Sequence, residues 1–96
     1  MDQEQLEHDV SAYVGEVWED VITDIDTLVG HASIANEAPA EPGAPFGRPV
    51  REALDCALGI ARKLGYQTSD DEGYVGMCDI PGECPEQLAT ICHVDV

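Results

Sequence analysis

The stretch that decides the fold is Gln87-Leu88-Ala89-Thr90-Ile91-Cys92-His93-Val94-Asp95-Val96. A nearly unbroken apolar run of this length reads as a strand buried on both faces, expected over about residues 87–95. It delivers a His and an Asp at its carboxyl end, where open α/β sheets gather their functional groups. Side chains at i and i+2 of a strand share a face, so His93 and Asp95 are expected side by side, with Val94 packed behind them. An imidazole beside a carboxylate suits a zinc ligand whose tautomer the carboxylate holds. The plainer alternative is a surface His hydrogen-bonded to an Asp.

Working back from that strand, Pro81-Gly82-Glu83-Cys84-Pro85 forces a reversal, and Tyr74 to Ile80 reads as a strand of mixed pattern. Ser69-Asp70-Asp71-Glu72-Gly73 is turn chemistry, and Tyr66-Gln67-Thr68 is a short strand. A helix is expected over about 49–64. Pro49 sits in its first turn, Gly65 offers a left-handed cap, and Val50, Ala53, Leu54, Ala57, Leu58, Ala61 and Leu64 form its apolar stripe. Arg62 and Lys63 lie favourably at the negative end of its dipole. Residues 30–45, rich in Ala, Pro and Gly, read as a linker or functional loop. Before them a helix over about 4–29 carries apolar residues at three- and four-residue steps, from Leu6 to Val29, opposite an acidic face. It is expected to pack that stripe into the core; the rival reading docks it on a basic partner.

Composition narrows the function. The 96 residues hold 20 acids against 4 bases, a net charge of −16, and no Lys or Arg precedes Arg48. Nucleic acid and anionic membrane surfaces are both poor partners for such a chain. No signal-type or membrane-spanning apolar segment is present, so a cytoplasmic location is expected. Cys56, Cys78, Cys84 and Cys92 form no C-x-x-C pair and read as free thiols in a reducing compartment. A Cys78/Cys84/Cys92/His93 zinc site is the sharper alternative, opposed by adjacent Cys92 and His93 pointing to opposite strand faces.

Four segments in this order resemble the dinuclear zinc peptidase family of aminoacylase, acetylornithine deacetylase and carnosinase, and within it most nearly the peptidase-V-like dipeptidases. Asp24 to Ser33 is similar to the family's first helix and its Leu-Val-x-x-x-Ser end. Pro45-Phe46-Gly47 with Val50-Arg51-Glu52-Ala53-Leu54-Asp55 resembles its Pro-Phe-Gly loop and second helix. Leu64-Gly65-Tyr66-Gln67-Thr68 with Asp71, Gly73, Tyr74, Val75 and Gly76 resembles its next strand region. Ile91 to Val96 resembles the Gly-His-x-Asp-Val metal motif, with Cys92 where the family carries Gly.

The resemblance covers about residues 20–96 and implies an α/β fold. The chain would be an incomplete piece of a zinc-peptidase catalytic domain, two amino-terminal helices and then two or three strands, with the helices packed on a mixed sheet. It implies that His93 binds one zinc of a pair and that Asp95 is the catalytic residue that orients it. Cobalt or manganese would also suit such ligands. The substrate would be a dipeptide or N-acyl amino acid, and a homodimer would form through a domain outside this stretch. The bridging carboxylate, the paired Glu residues and the later ligands would lie beyond Val96, so hydrolysis by these 96 residues alone is not expected. A non-enzymatic acidic interaction module built on the first helix is the competing reading.

Overall fold

The computed structural model describes residues 2–96. It contains two helices followed by two antiparallel strands: α1 (Gln3–Val29), α2 (Arg48–Lys63), β1 (Gln67–Asp71) and β2 (Val75–Asp79). This is a small α/β arrangement. The Asp2 side chain starts α1 by accepting a 2.7 Å hydrogen bond from the Gln5 amide, satisfying one of the helix's orphan donors.

At the other end of α2, Gly65 takes φ +99°. Its amide donates to Arg62 O at 3.0 Å while the Tyr66 amide reaches Ala61 O at 3.0 Å. This paired geometry is the Schellman motif, which a Cβ at Gly65 would strain. It turns the chain directly into β1.

β1 and β2 pair in register from Gln67 opposite Asp79 to Asp71 opposite Val75. The alternation of strand side chains puts Thr68, Asp70, Gly76 and Cys78 on one face. That face lies on α2. A Cβ on Gly76 would come within 2.6 Å of Leu54 Cδ1 and 3.1 Å of Leu58 Cδ2, so the absent side chain lets the ribbon sit close to the helix. Arg62 adds a 3.0 Å hydrogen bond to Thr68 Oγ1. A lone hairpin is marginal in water, and this one depends on α2 for its footing.

The linker over 30–45 is ordered by turns. Glu41 and Ala44 exchange backbone hydrogen bonds of 3.1 and 2.8 Å around Pro42-Gly43, with Gly43 at φ +79°. The loop then reaches the hairpin turn: a Cβ on Gly73 would meet Gly43 O at 2.1 Å. Phe46 and Tyr74 stack edge to face, with ring centroids 5.7 Å apart.

The buried apolar set is Ala44, Val50, Ala53, Leu58 and Ala61, small side chains on the loop and on α2. Two expectations fail here. α1 buries none of its residues, although its stripe was expected in the core. Only Val17, Asp24 and Leu28 are partly covered, because α2 is too short to cover a helix of about 40 Å. The strand expected over 87–95 is likewise absent: residues 80–96 have no helix or strand, and Leu88 and Ile91 are 99% exposed. A strand needs a neighbour for its ladder and two covered faces for its apolar side chains, and nothing among the described residues supplies either. The sheet is therefore a two-stranded antiparallel ribbon and not a mixed sheet. A compact chain of this length has a radius of gyration of about 12.5 Å; here it is 16.1 Å.

Two outcomes follow from this geometry. Amides of residues 87–95 will exchange with solvent nearly as fast as in an unfolded peptide, whereas those of α2 will be protected; hydrogen exchange read by NMR or mass spectrometry checks this. Glu72 holds φ +55° ahead of Gly73 at +81°, the paired positive angles of a type I′ turn, at a cost Asn bears more easily. Glu72→Asn should stabilise the fold by about 0.5–1 kcal/mol in urea titration, and Gly73→Ala should destabilise it by about 1–3 kcal/mol.

Candidate functional site

His93 and Asp95 meet, though not on a strand. His93 Nδ1 lies 2.9 Å from the Asp95 main-chain oxygen and 3.3 Å from its carboxylate Oδ1. Both neighbours are acceptors, so the tautomer with a proton on Nδ1 is the one that bonds, and the Nε2 lone pair is left outward. The ring is largely exposed and Nε2 makes no hydrogen bond among the described residues. The main-chain oxygen is the closer partner, a feature that strand alternation does not foresee.

The pair is held at one point. The Val96 amide donates a 2.9 Å hydrogen bond to Ser33 O, which ties the end of the chain to the turns that follow α1. Those turns are tight: the Ser33 amide reaches His31 O and the Ile34 amide reaches Ala32 O, each at 2.9 Å. Ser33 itself is 4% exposed, the one buried polar residue among those described. Val94 and Asp95 are consequently half-buried while His93 projects outward.

No group of three or more His, Cys, Asp or Glu side chains able to hold a metal forms among the described residues. Cys78, Cys84 and Cys92 are exposed free thiols and Cys56 is half-buried. They do not converge on His93.

A second cluster, centred on Arg51, was not foreseen as a unit. Its guanidinium pairs with Asp55 through Nε at 3.1 Å and with Asp70 through Nη1 at 2.9 Å, and it donates to Gly43 O at 3.3 Å. Asp70 Oδ1 also accepts the Gly73 amide at 3.1 Å. The only advance signal was the i,i+4 spacing of Arg51 and Asp55. The hydrogen bond from Arg51, and then the one from Gly73, hold the Asp70 carboxyl below its ordinary value of 3.8. Beside it, Glu41, Pro42, Gly43, Pro45, Glu72 and Tyr74 line an open pocket of about 300 Å³.

Two segments quoted for the family resemblance thus touch: Pro45-Phe46-Gly47 meets the hairpin turn at Tyr74, and Arg51 reaches the same turn through Asp70. Comparison with known proteins agrees in kind. Over 78 residues, 81% of this chain, it is 35% identical to "Putative dipeptidase YtjP" of Bacillus subtilis strain 168, of which the match covers 17%. Over 76 residues it is 34% identical to proteins of the same description in Staphylococcus aureus strains USA300 and N315, covering 79% of this chain and 16% of each. The chain spans about one sixth of the length of the curated relatives it matches. No protein-family model matches it. The likeness supports a peptidase-like family of hydrolases. No helix among the described residues is long and apolar enough to cross a membrane.

The Arg51 cluster has a definite pH signature. A carboxyl held low in the folded state contributes stability above its unfolded value, and that contribution is lost as pH falls through the folded value. Stability should therefore drop as pH is lowered past about 4, the ordinary aspartate value. Asp70→Asn should flatten this limb in denaturant titrations across the acid range while leaving neutral-pH helix content in place.

Proposed function

We propose that this chain supplies the amino-terminal part of a zinc-dependent dipeptidase or amidohydrolase, with His93 as its first metal ligand and Asp95 as the residue that orients it. The observation that carries the reading is the ordered match to dipeptidases over four-fifths of the chain. The contact of His93 with Asp95 supports the two roles.

The residues present fit one ligand and its support. An imidazole bonded through Nδ1 offers Nε2 to a cation, and an oxygen acceptor behind it fixes the tautomer and raises the basicity of the ring. Zinc, when bound, would lower the pKa of a water molecule and polarise an amide carbonyl. This chain's own contribution is to orient the imidazole: Asp95 holds the Nδ1 proton, and the Val96 to Ser33 hydrogen bond limits how far the pair can swing. One imidazole and one carboxylate do not complete a dinuclear centre, so the 96 residues bind a cation weakly and do not hydrolyse peptides unaided. Substrates on this reading are dipeptides or N-acyl amino acids, and cobalt or manganese would serve in place of zinc.

The test is a transplant. These residues replace the matched stretch of the Bacillus subtilis relative, once its own dipeptide hydrolysis is established, and turnover is measured with added zinc. The chimera should hydrolyse dipeptides, His93→Ala should abolish turnover, and Asp95→Asn should weaken zinc binding about 10–100-fold. The isolated 96-residue chain should show none. A chimera indifferent to His93→Ala, or turnover that tracks the pure isolated chain, would overturn the proposal.

A further inference from the structure

The largest feature unused by the site is the outer face of α1. Val14, Trp18, Val21, Ile22, Ile25 and Val29 recur at steps of three and four, and each is more than a third exposed. At 100° per residue they form one stripe, with Glu19 beyond one edge and Asp24 beyond the other. A contiguous apolar face rimmed by charge is the pattern of an interaction surface.

The structure also shows what chemistry that rim accepts. Val17, Asp24 and Leu28, at the margin of the stripe, are partly covered, and α2 brings Lys63 to within 2.7 Å of Asp24. A lysine from a neighbouring helix is thus already paired at the edge of this face. α1 carries eight acids and no Lys or Arg, and Asp24 alone among them has a basic partner among the described residues. A second copy would bring another net charge of −16 to the same surface, and an anionic membrane would be repelled for the same reason. Charge complementarity selects a cationic occupant.

We infer that the outer face of α1 is a docking surface for a basic amphipathic helix of another protein, its apolar side seated on Trp18, Ile22 and Ile25 and its Lys or Arg residues on the acidic rim. Such helix-on-helix recognition is read through anchors at i, i+3, i+4 and i+7. It involves neither His93 nor Asp95, but it competes with any cover that the part of the longer relatives outside the match would supply to this face.

Trp18 is the only tryptophan and is 54% exposed in the middle of the stripe, so its fluorescence reports docking directly. The probe is a synthetic 18-residue peptide of Leu and Lys in amphipathic helical order, titrated into the full chain. The expected result is a saturable one-to-one blue shift of Trp18 emission whose affinity falls as salt rises. Ile22→Asp, an exposed position whose effect on folding circular dichroism monitors, should cost at least tenfold in affinity. Glu19→Lys should weaken binding several-fold at low salt and little at high salt. Absence of a shift overturns the inference. So does equal binding by a scrambled peptide of the same composition, which would mean undirected charge attraction. A blue-shifted, concentration-dependent emission from the chain alone, with a dimer mass on ultracentrifugation, overturns it in favour of a second copy.

Discussion

The guanidinium of Arg51 joins the three parts of the fold that no local rule brings together. It ties α2 to the hairpin through Asp70 and to the preceding loop through Gly43 O, while Asp55 on its own helix holds it in place. The other three basic residues act similarly. Arg48 pairs with Glu41 of the loop, Arg62 bonds Thr68 of β1, and Lys63 pairs with Asp24 of α1. With 4 bases among 20 acids, each cation has carboxylates to choose from, and all four are used across or beside α2. Exposed pairs of this kind contribute little stability one at a time. Their effect here is to select one arrangement of elements around a core that is mostly alanine.

That core explains the open character of the molecule. Among the described residues three of the five buried apolar ones are alanines, and no large side chain is fully buried. The loop and the hairpin turn therefore meet through backbone closeness at Gly73 and through one aromatic pair, Phe46 with Tyr74, while Gly76 lets the ribbon approach the leucines of α2. A larger side chain at Gly73 would separate the layers, because Gly43 O is backbone and cannot withdraw without moving the loop, whereas at Gly76 the leucine side chains of α2 would have to turn aside. Most apolar side chains of α1 and of residues 87–96 stay outside this assembly.

The candidate site inherits the same limitation. A metal ligand works when its rotamer is locked by packing and by partners behind it. His93 has partners behind it, the main-chain and side-chain oxygens of Asp95, but no packed strand beneath it. Its position is anchored through Val96 and the buried Ser33, a contact between the end of the sequence and the close of α1. The pairing of imidazole with carboxylate is thus built in locally, while its rigidity depends on tertiary contacts that are sparse here.

What the sequence by itself determined is everything set by short-range chemistry. Pro49 and Gly65 bracket α2, the Asp2 cap starts α1, Glu72-Gly73 turns the hairpin, and the two-residue spacing of His93 and Asp95 lets them touch. Each follows from dihedral preferences or from hydrogen bonds spanning at most a few residues. What only the tertiary structure decided is burial and pairing. The apolar periodicity of α1 and the apolar run at Gln87 to Val96 both show surfaces suited to a core, but periodicity is silent on whether a partner is present. The Arg51 cluster was equally hidden, because its members are separated by up to 27 residues, from Gly43 to Asp70, and an arginine on a helix has no way to signal which distant carboxylate it will meet.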